Sequence, residues 1–229
     1  MIFSIDHIVF AASASERDEL TTTLTRCGFS PERFTLEFPE IGAASESLSY
    51  AGGGFVEFVV EHDAALSPGL WFAETPRVIG LGFSSDRFDA DTGGWSQPQA
   101  WSMNEDHVLP DGTVLTIHAA GPHLHRSEFY VFVMDRDRGR LEFPGTAATP
   151  RLREIRIEGA DAPRWRSDLA AWLALAGGER TLQVGEVLLS FAEGPRPGVR
   201  AGLVFSAPVE QSTTLPLAAG SITLLPERG

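Results

Sequence analysis

One arrangement of strands and a helix recurs along the chain at a nearly constant interval, and this recurrence limits the folds open to it. The segments His7–Phe10, Gly80–Phe83 and Glu154–Ile157 are short strand-type runs that follow one another at steps of 73 and 74 residues. Each run is followed by a helix-type segment and then by further short strand-type runs. A fixed interval of this kind indicates repeated copies of one supersecondary unit.

The first copy shows the unit in full. Ser13 lies three residues before Glu16, which is the spacing of a capping box, and this predicts the start of a helix. Gly28 predicts the end of that helix. Three strand-type runs between residues 34 and 61 complete the copy. The predicted unit is therefore βαβββ.

Three such modules account for most of the chain, and the predicted fold class is α+β. Modules 1–62 and 76–135 are predicted to form one domain, residues 1–135. A charged segment with Gly and Pro at 135–150 predicts a boundary. Residues 150–229 are predicted as a third βαβββ-like module with an additional C-terminal strand.

The fourth strand of each module is predicted at the same interval as the first. These fourth strands are centred on Glu57, Tyr130 and about Leu203. Because the first and fourth strands carry the most regular spacing, they are the parts of the unit that align best between copies.

Charge and composition narrow the classes of partner. The net charge of −13 disfavours nucleic acid and anionic membranes, because neither would gain from counterion release on binding. No apolar run approaches the roughly 20 residues of a membrane span, and the N-terminus lacks the features of a signal peptide, so we expect a cytoplasmic protein. Cys27 is the single cysteine, which excludes an intramolecular disulfide. A small molecule or another copy of the chain, in a homodimer, is the expected partner.

The motifs resemble those of the vicinal oxygen chelate superfamily, and within it the chain is similar to uncharacterised glyoxalase-like domains. The residues that carry the resemblance are Ile5–Phe10, Cys27–Phe29, Gly54–Phe58, Gly80–Phe83, Pro110–Thr113, Phe129–Val133 and Gly198–Leu203. The resemblance implies that pairs of modules form a half-open barrel of the glyoxalase/bleomycin resistance/dioxygenase type.

The resemblance also implies a divalent metal held by first-strand and fourth-strand residues of paired modules. It places His7 and Glu57 as the ligands of the first module, and imidazole with carboxylate suits zinc, iron, manganese or nickel. Glu154 occupies the His7 position in the third module and is a third candidate ligand. The second module has Gly80 and Tyr130 at these positions, neither of which is a usual ligand in this family, so a site without metal is equally open.

A pocket is predicted beside these residues. Gly80 and Gly82 share a strand face, and the two missing side chains would leave room for a ligand. We expect His118 and Tyr130 to point into the same space and Trp101 to form part of its wall. The predicted substrate-binding residues are His7, Glu57, Gly80, Trp101, His118 and Tyr130.

Each candidate residue also has a structural interpretation. A histidine such as His7, on a strand that is apolar on both faces, is often a hydrogen-bonded core residue. A buried Glu57 needs a partner, which a metal, His7 or an arginine could supply. Glu154 and Arg156 alternate with isoleucines, which is also the pattern of a strand with one solvated face.

Three functional hypotheses follow. The first is a glyoxalase-like protein that binds a small oxygenated metabolite in its barrel, with metal-dependent lyase, isomerase or dioxygenase chemistry. The second is a metal-free protein that binds and sequesters a small molecule. The third is a structural dimerisation module with a vestigial site.

Overall fold

The computed structural model describes residues 3–67, 69–93, 101–108, 112, 114–121, 129–135, 150–196 and 199–227. Two β-sheets organise these residues. All strands of the first sheet come from residues 4–135 and all strands of the second from residues 151–226.

Sheet A is the eight-stranded sheet. Its strands are β1 (Ser4–Ala12), β2 (Ser30–Phe38), β3 (Ala43–Tyr50), β4 (Gly54–Glu61), β5 (Arg77–Ser85), β6 (Trp101–Val108), β7 (Val114–Gly121) and β8 (Tyr130–Asp135). Three helices accompany them: α1 (Ala14–Arg26), α2 (Gly69–Phe72) and α3 (Phe88–Thr92). The strand order is β2-β3-β4-β1-β5-β8-β7-β6.

The pairing directions in sheet A define two modules related by a pseudo-twofold axis. The first strand of each module runs parallel to the fourth, as β1 does to β4 and β5 to β8. The two first strands, β1 and β5, meet antiparallel in the middle. This arrangement confirms the predicted α+β fold of repeated βαβββ modules.

The first helix begins where the capping box predicts. The Ser13 backbone N–H donates to Glu16 Oε2 at 2.8 Å, and the Glu16 backbone N–H donates to Ser13 Oγ at 3.3 Å. These two bonds satisfy donors that the first turn of a helix leaves free. Leu20 and Leu24 are the buried residues of this helix.

Sheet A is curled, and its two edge strands meet. The ring centroids of Phe38 on β2 and His107 on β6 are 5.9 Å apart. Since β2 and β6 stand at opposite ends of the strand order, this contact brings the edges of the sheet together. We call this line of contact the seam. The sheet therefore forms a half-open barrel with an inner and an outer face.

Each face of sheet A packs differently. The inner face carries its own apolar cluster, made of Val9, Ala11, Ala43, Val59, Trp71, Ile79, Ile117, Ala119, Tyr130 and Phe132. The outer face belongs to the larger core, with Ile8, Phe10, Val56, Phe58, Leu81 and Phe83 among its residues. Successive side chains along a strand point to opposite faces of the sheet, so the inner-face and outer-face residues alternate in sequence.

A β-bulge in β1 interrupts this alternation beside the predicted site. Ile5 pairs with Phe83, whereas His7 pairs with Gly82, so Asp6 is the extra residue of β1. A bulge of this kind re-aims side chains. It allows Asp6 and His7, although adjacent in sequence, to bond to each other through their side chains.

Sheet B has six strands. They are β9 (Arg151–Glu158), β10 (Thr181–Val184), β11 (Val187–Ala192), β12 (Arg200–Ala207), β13 (Thr213–Leu217) and β14 (Gly220–Pro226), with helix α4 (Ala162–Trp172) between β9 and β10. The strand order is β10-β11-β9-β12-β14-β13. This is the order of the six central strands of sheet A.

The structure differs from the single third module that the interval predicts. A fourth strand at Leu203 would run parallel to β9, but β12 runs antiparallel to β9, and β11 is the parallel strand. The strand that contains Leu203 is therefore the first strand of a shortened fourth module, β12-β13-β14. The repeat interval alone assigns β12 to the third module as its fourth strand, because the spacing of residues carries no information on the direction in which strands pair.

The main core lies between sheet B and the outer face of sheet A. The Phe205 ring packs against Phe29 and Tyr50, with centroids 5.0 Å and 5.4 Å away. Phe129 meets Trp165 of α4 at 5.4 Å. No helix in the described part of the chain is long and apolar enough to cross a membrane.

Candidate functional site

The His7 ring lies on the inner face of sheet A and is held from both sides. It stacks on Phe55, with centroids 4.4 Å apart, and meets the edge of Phe132 at 4.8 Å. Opposite lies Gly82, where an added Cβ would stand 2.9 Å from His7 Cε1 and Nδ1. His7 is only 5% exposed, so this packing limits the movement of its ring.

Two carboxylates face the two nitrogens of this ring. His7 Nδ1 lies 2.8 Å from Asp6 Oδ2, and His7 Nε2 lies 3.5 Å from Glu57 Oε2. The short contact favours the tautomer in which Nδ1–H donates to Asp6. The 3.5 Å distance is too long for an ordinary hydrogen bond. The structure thus brings the predicted His7 and Glu57 together and leaves a gap between their polar atoms.

Glu57 is a nearly buried carboxylate with few polar contacts to offset its loss of hydration. Its side chain is 11% exposed. Among the described residues its one polar contact is the 3.5 Å approach to His7. A buried carboxylate without hydrogen bonds is unfavourable, so this is a position where a bound donor group would be stabilising.

In the second module the Tyr130 ring occupies the space beside Gly80. The pseudo-twofold axis relates Gly80 to His7, because Gly80 pairs with Val9 as His7 pairs with Gly82. In the fourth strands it relates Tyr130 to Phe55, and Phe132 to Glu57. A Cβ on Gly80 would lie 2.8 to 3.0 Å from the Tyr130 ring. The space predicted for a ligand at Gly80 is therefore occupied by Tyr130, and the space at Gly82 by His7 and Phe132. That part of the pocket prediction is wrong.

Tyr130 forms one wall of the inner face. Its ring stacks between Trp71, at 5.1 Å, and Phe132, at 5.5 Å. Burial raises the pKa of the Tyr130 phenol well above its usual range, and the nearby Glu57 charge raises it further. The phenol is consequently neutral at physiological pH.

His118 lies on the other face of the sheet. Its neighbours Ile117 and Ala119 belong to the inner cluster, and alternation along β7 turns His118 outward. It packs on Phe88 of α3 at 4.2 Å, and its Nδ1 lies 3.3 Å from Asp135 Oδ2. The prediction that His118 lines the pocket is wrong, because the face of β7 could not be fixed from its short sequence. Trp101 begins β6, and its side chain lies outside the described residues.

Glu154 lies in sheet B, apart from the other two predicted ligands. Its Oε2 accepts from Arg156 Nε and Nη2 at 3.0 and 2.9 Å, and its Oε1 accepts from Ser190 Oγ at 2.7 Å. Burial tends to raise the pKa of the Glu154 carboxyl, but the bonds from Arg156 and Ser190 outweigh it and lower the pKa. Glu154 is thus already fully engaged.

Two site residues escape sequence reasoning, Ser45 and His107. Ser45 is 2% exposed and pairs with Val59 of the inner cluster, and its Oγ has no hydrogen-bond partner. His107 faces inward at the seam, and its Nε2 is also buried without a partner. Neither residue breaks an apolar pattern in the sequence, so only the strand register and the curl of the sheet reveal them.

The donor set fits half of a divalent metal site. The Asp6–His7 bond is the kind that orients a histidine ligand, and Glu57 Oε2 faces the same Nε2. The second module, however, has Gly80 at the position of His7 and the apolar Phe132 at that of Glu57, and the nearby Tyr130 is a neutral phenol. Within the described ranges no three His, Cys, Asp or Glu side chains are grouped so that they could hold a metal ion. These residues therefore do not fit a resident metal site.

Comparison with known proteins supports the fold. No family model and no curated protein matches the sequence. A hypothetical protein from Staphylococcus aureus matches over 99% of this chain and 100% of its own, with a TM-score of 0.71 and 7% identity.

Two enzymes of known class share the architecture. The 2,2',3-trihydroxybiphenyl 1,2-dioxygenase of Sphingomonas wittichii gives a TM-score of 0.57 at 12% identity, covering 98% of this chain and 90% of its own. The Mn(II)-bound glyoxalase of Novosphingobium aromaticivorans gives 0.52 at 9% identity, covering 98% and 82%. At such identities the likeness concerns the fold alone.

Proposed function

We propose that this protein binds a small, largely apolar molecule on the inner face of sheet A and does so without a resident metal. The observation that carries the proposal is a set of polar atoms on an otherwise apolar face that lack partners. These are Ser45 Oγ and His107 Nε2. Beside them lies the Glu57 carboxylate, whose one polar neighbour among the described residues, His7 Nε2, is 3.5 Å away.

An unpartnered buried polar atom costs about 1–3 kcal/mol, so native structures seldom keep one without a reason. Two on one face, beside a carboxylate with a single long polar contact, are better explained by a ligand that satisfies them than by chance. The rings of Trp71, Tyr130 and Phe132 supply the apolar surface that such a ligand would contact. Together they give the usual composition of a small-molecule site, a mostly apolar lining with a few convergent polar groups.

The metal-dependent hypothesis has one observation in its favour, the orientation of His7 by Asp6. The Mn(II)-bound glyoxalase among the similar folds agrees with it. We favour the metal-free function because, in the described residues of the second module, Gly80 and Phe132 stand at the positions of His7 and Glu57, and neither side chain can bind a metal.

Metal content is the first test. Elemental analysis of wild type and His7→Ala, both purified without added metal and then reconstituted with zinc or manganese, should show well under one equivalent in each. One equivalent that disappears in His7→Ala would overturn the metal-free proposal.

Binding is the second test, with 4-methylphenol as the probe in the presence of EDTA. An NMR titration should show saturable binding, and Glu57→Gln should weaken it about tenfold, because a bond to a carboxylate is worth roughly 1.5–3 kcal/mol. Glu46→Gln is the control, since Glu46 pairs with Arg17 on the outer face. An absence of binding to wild type would leave the structural dimerisation module as the remaining hypothesis.

A further inference from the structure

We infer that Ser45 and His107 form a second polar subsite at the seam, so that the ligand carries two hydrogen-bonding groups separated by an apolar part. This inference rests on the proposed function and specifies the chemistry of its ligand. We call the pair the seam subsite, and Glu57 with His7 the central subsite.

The position of Ser45 is fixed by its strand pairs. It lies opposite Val59 on β4 and Leu36 on β2, both of which contact the inner cluster. Paired residues share a face, so the Ser45 hydroxyl points into the barrel. Ser45 is only 2% exposed, and its hydroxyl has no hydrogen-bond partner.

His107 approaches the same region from the opposite edge of the sheet. Its ring contacts Phe38, and Phe38 pairs with Ala43, which is two residues before Ser45 on β3. His107 Nε2 is buried and unpartnered as well. Two polar atoms from different modules therefore lack partners, His107 Nε2 at the seam and Ser45 Oγ on the strand next to the edge strand β2.

The two subsites are close enough for one small molecule. Ser47 lies directly opposite Glu57, which makes Ser45 a diagonal neighbour of Glu57. Such neighbours have Cα atoms about 7–8 Å apart. A direct bond between their side chains is absent from the structure, so a group that reaches both must come from a ligand. A benzene ring with a polar substituent at each end would supply a hydrogen-bonding group to each subsite and an apolar ring to stack on Tyr130 or Trp71.

A purely structural role for Ser45 makes a different prediction, and Ser49 provides the comparison. Ser49 lies on the same strand and is equally buried, at 2% exposed, but its Oγ donates to the Ser30 carbonyl oxygen at 3.3 Å. Ser49→Ala should lower the free energy of unfolding. Ser45→Ala removes an unpartnered hydroxyl, so it should leave stability unchanged or raise it.

Three near-isosteric probes test the inference. 4-Hydroxybenzyl alcohol carries two hydroxyl groups, whereas 4-methylphenol and 4-methylbenzyl alcohol each carry one. The dissociation constants, measured by NMR titration, should be about three- to tenfold lower for the first probe than for the other two, which is the effect of one hydrogen bond of ordinary net strength.

The variants locate the second bond. Ser45→Ala and His107→Phe should each remove most of the advantage of 4-hydroxybenzyl alcohol and leave the affinity for 4-methylphenol unchanged. The phenylalanine keeps a ring against Phe38. Ser49→Ala should leave the ratio of affinities unaltered even though it destabilises the protein.

The outcomes separate the two proposals. If all three probes bind wild type equally, the proposed function stands and the seam subsite is wrong. If the two-hydroxyl probe binds best but Ser45→Ala does not change the ratio, the seam subsite is again wrong. If none of the probes binds, both proposals fail.

Discussion

Gly80 and Gly202 occupy equivalent positions in the two sheets, and the consequences of adding one methyl group to each should differ. Gly80 on β5 pairs with Val9 of β1 and Tyr130 of β8. Gly202 on β12 pairs in the same way with Arg156 of β9 and Ser221 of β14. The two glycines thus have the same strand pairing, and they differ in the side chains that surround them.

The structure gives the expected magnitudes. A Cβ at Gly80 would lie 2.8 Å from Tyr130 Cζ, and Tyr130 cannot easily move because it stacks between Trp71 and Phe132. Overpacking of this kind costs about 1–3 kcal/mol. A Cβ at Gly202 would meet Ser221 Oγ at 3.6 Å, an ordinary contact. There the gain from replacing a strand glycine by alanine, roughly 0.5–1 kcal/mol, should remain.

Urea unfolding followed by circular dichroism measures both variants. Gly80→Ala should be less stable than wild type, and Gly202→Ala should be as stable or slightly more stable. Tyr130→Leu should cost less in the Gly80→Ala background than in wild type, because the smaller side chain relieves the clash. Equal effects of the two alanines, or additive effects of Gly80→Ala and Tyr130→Leu, would show that Tyr130 does not occupy the space at Gly80.

Three further outcomes are expected. Tyr50→Phe removes a buried hydroxyl without a partner, so the free energy of unfolding should stay the same or rise by up to about 1 kcal/mol. A decrease in the free energy of unfolding would show that this hydroxyl has a partner. Burial tends to raise the pKa of Glu16, but the bonds from Ser13 outweigh it and lower the pKa. The ionised carboxylate therefore stabilises the fold above its unfolded pKa, and this stabilisation is lost as the pH falls through the folded pKa. Between pH 3 and 6 the free energy of unfolding of Glu16→Gln, measured with urea, should depend less steeply on pH than that of wild type. An unchanged slope would refute this. Asp6→Ala should reduce the Nδ1–H tautomer of His7 in ¹⁵N NMR spectra, whereas an unaltered tautomer would show that packing alone selects it.

Local features of the fold could be predicted from the sequence, because they depend on residues close together in the chain. The Ser13–Glu16 capping box is one example. The contact between His7 and Glu57 could also be predicted, since the resemblance implies that first-strand and fourth-strand residues meet at one site. That contact requires only that two neighbouring strands share a register.

Features that depend on direction and curvature could not be predicted. The interval places Leu203 correctly in a strand but cannot say that this strand runs antiparallel to β9. The face of His118 depends on where alternation begins in β7. Ser45 and His107 become site residues only because the sheet curls until its edge strands meet. Long-range geometry of this kind leaves no periodic signal in the sequence.

The internal repetition indicates which half of the molecule holds the site. In sheet B the counterpart of the His7–Glu57 pair is Glu154 with Ser190, since Glu154 pairs with Val204 as His7 does with Gly82. Ser190 already bonds to Glu154, and Arg156 neutralises its charge. None of the buried, unpartnered polar side-chain atoms found in the described residues belongs to a strand of sheet B. Among the described strands, unpartnered buried polar atoms therefore occur in sheet A and not in sheet B. The two on the inner face, Ser45 Oγ and His107 Nε2, are the reason to expect a ligand there.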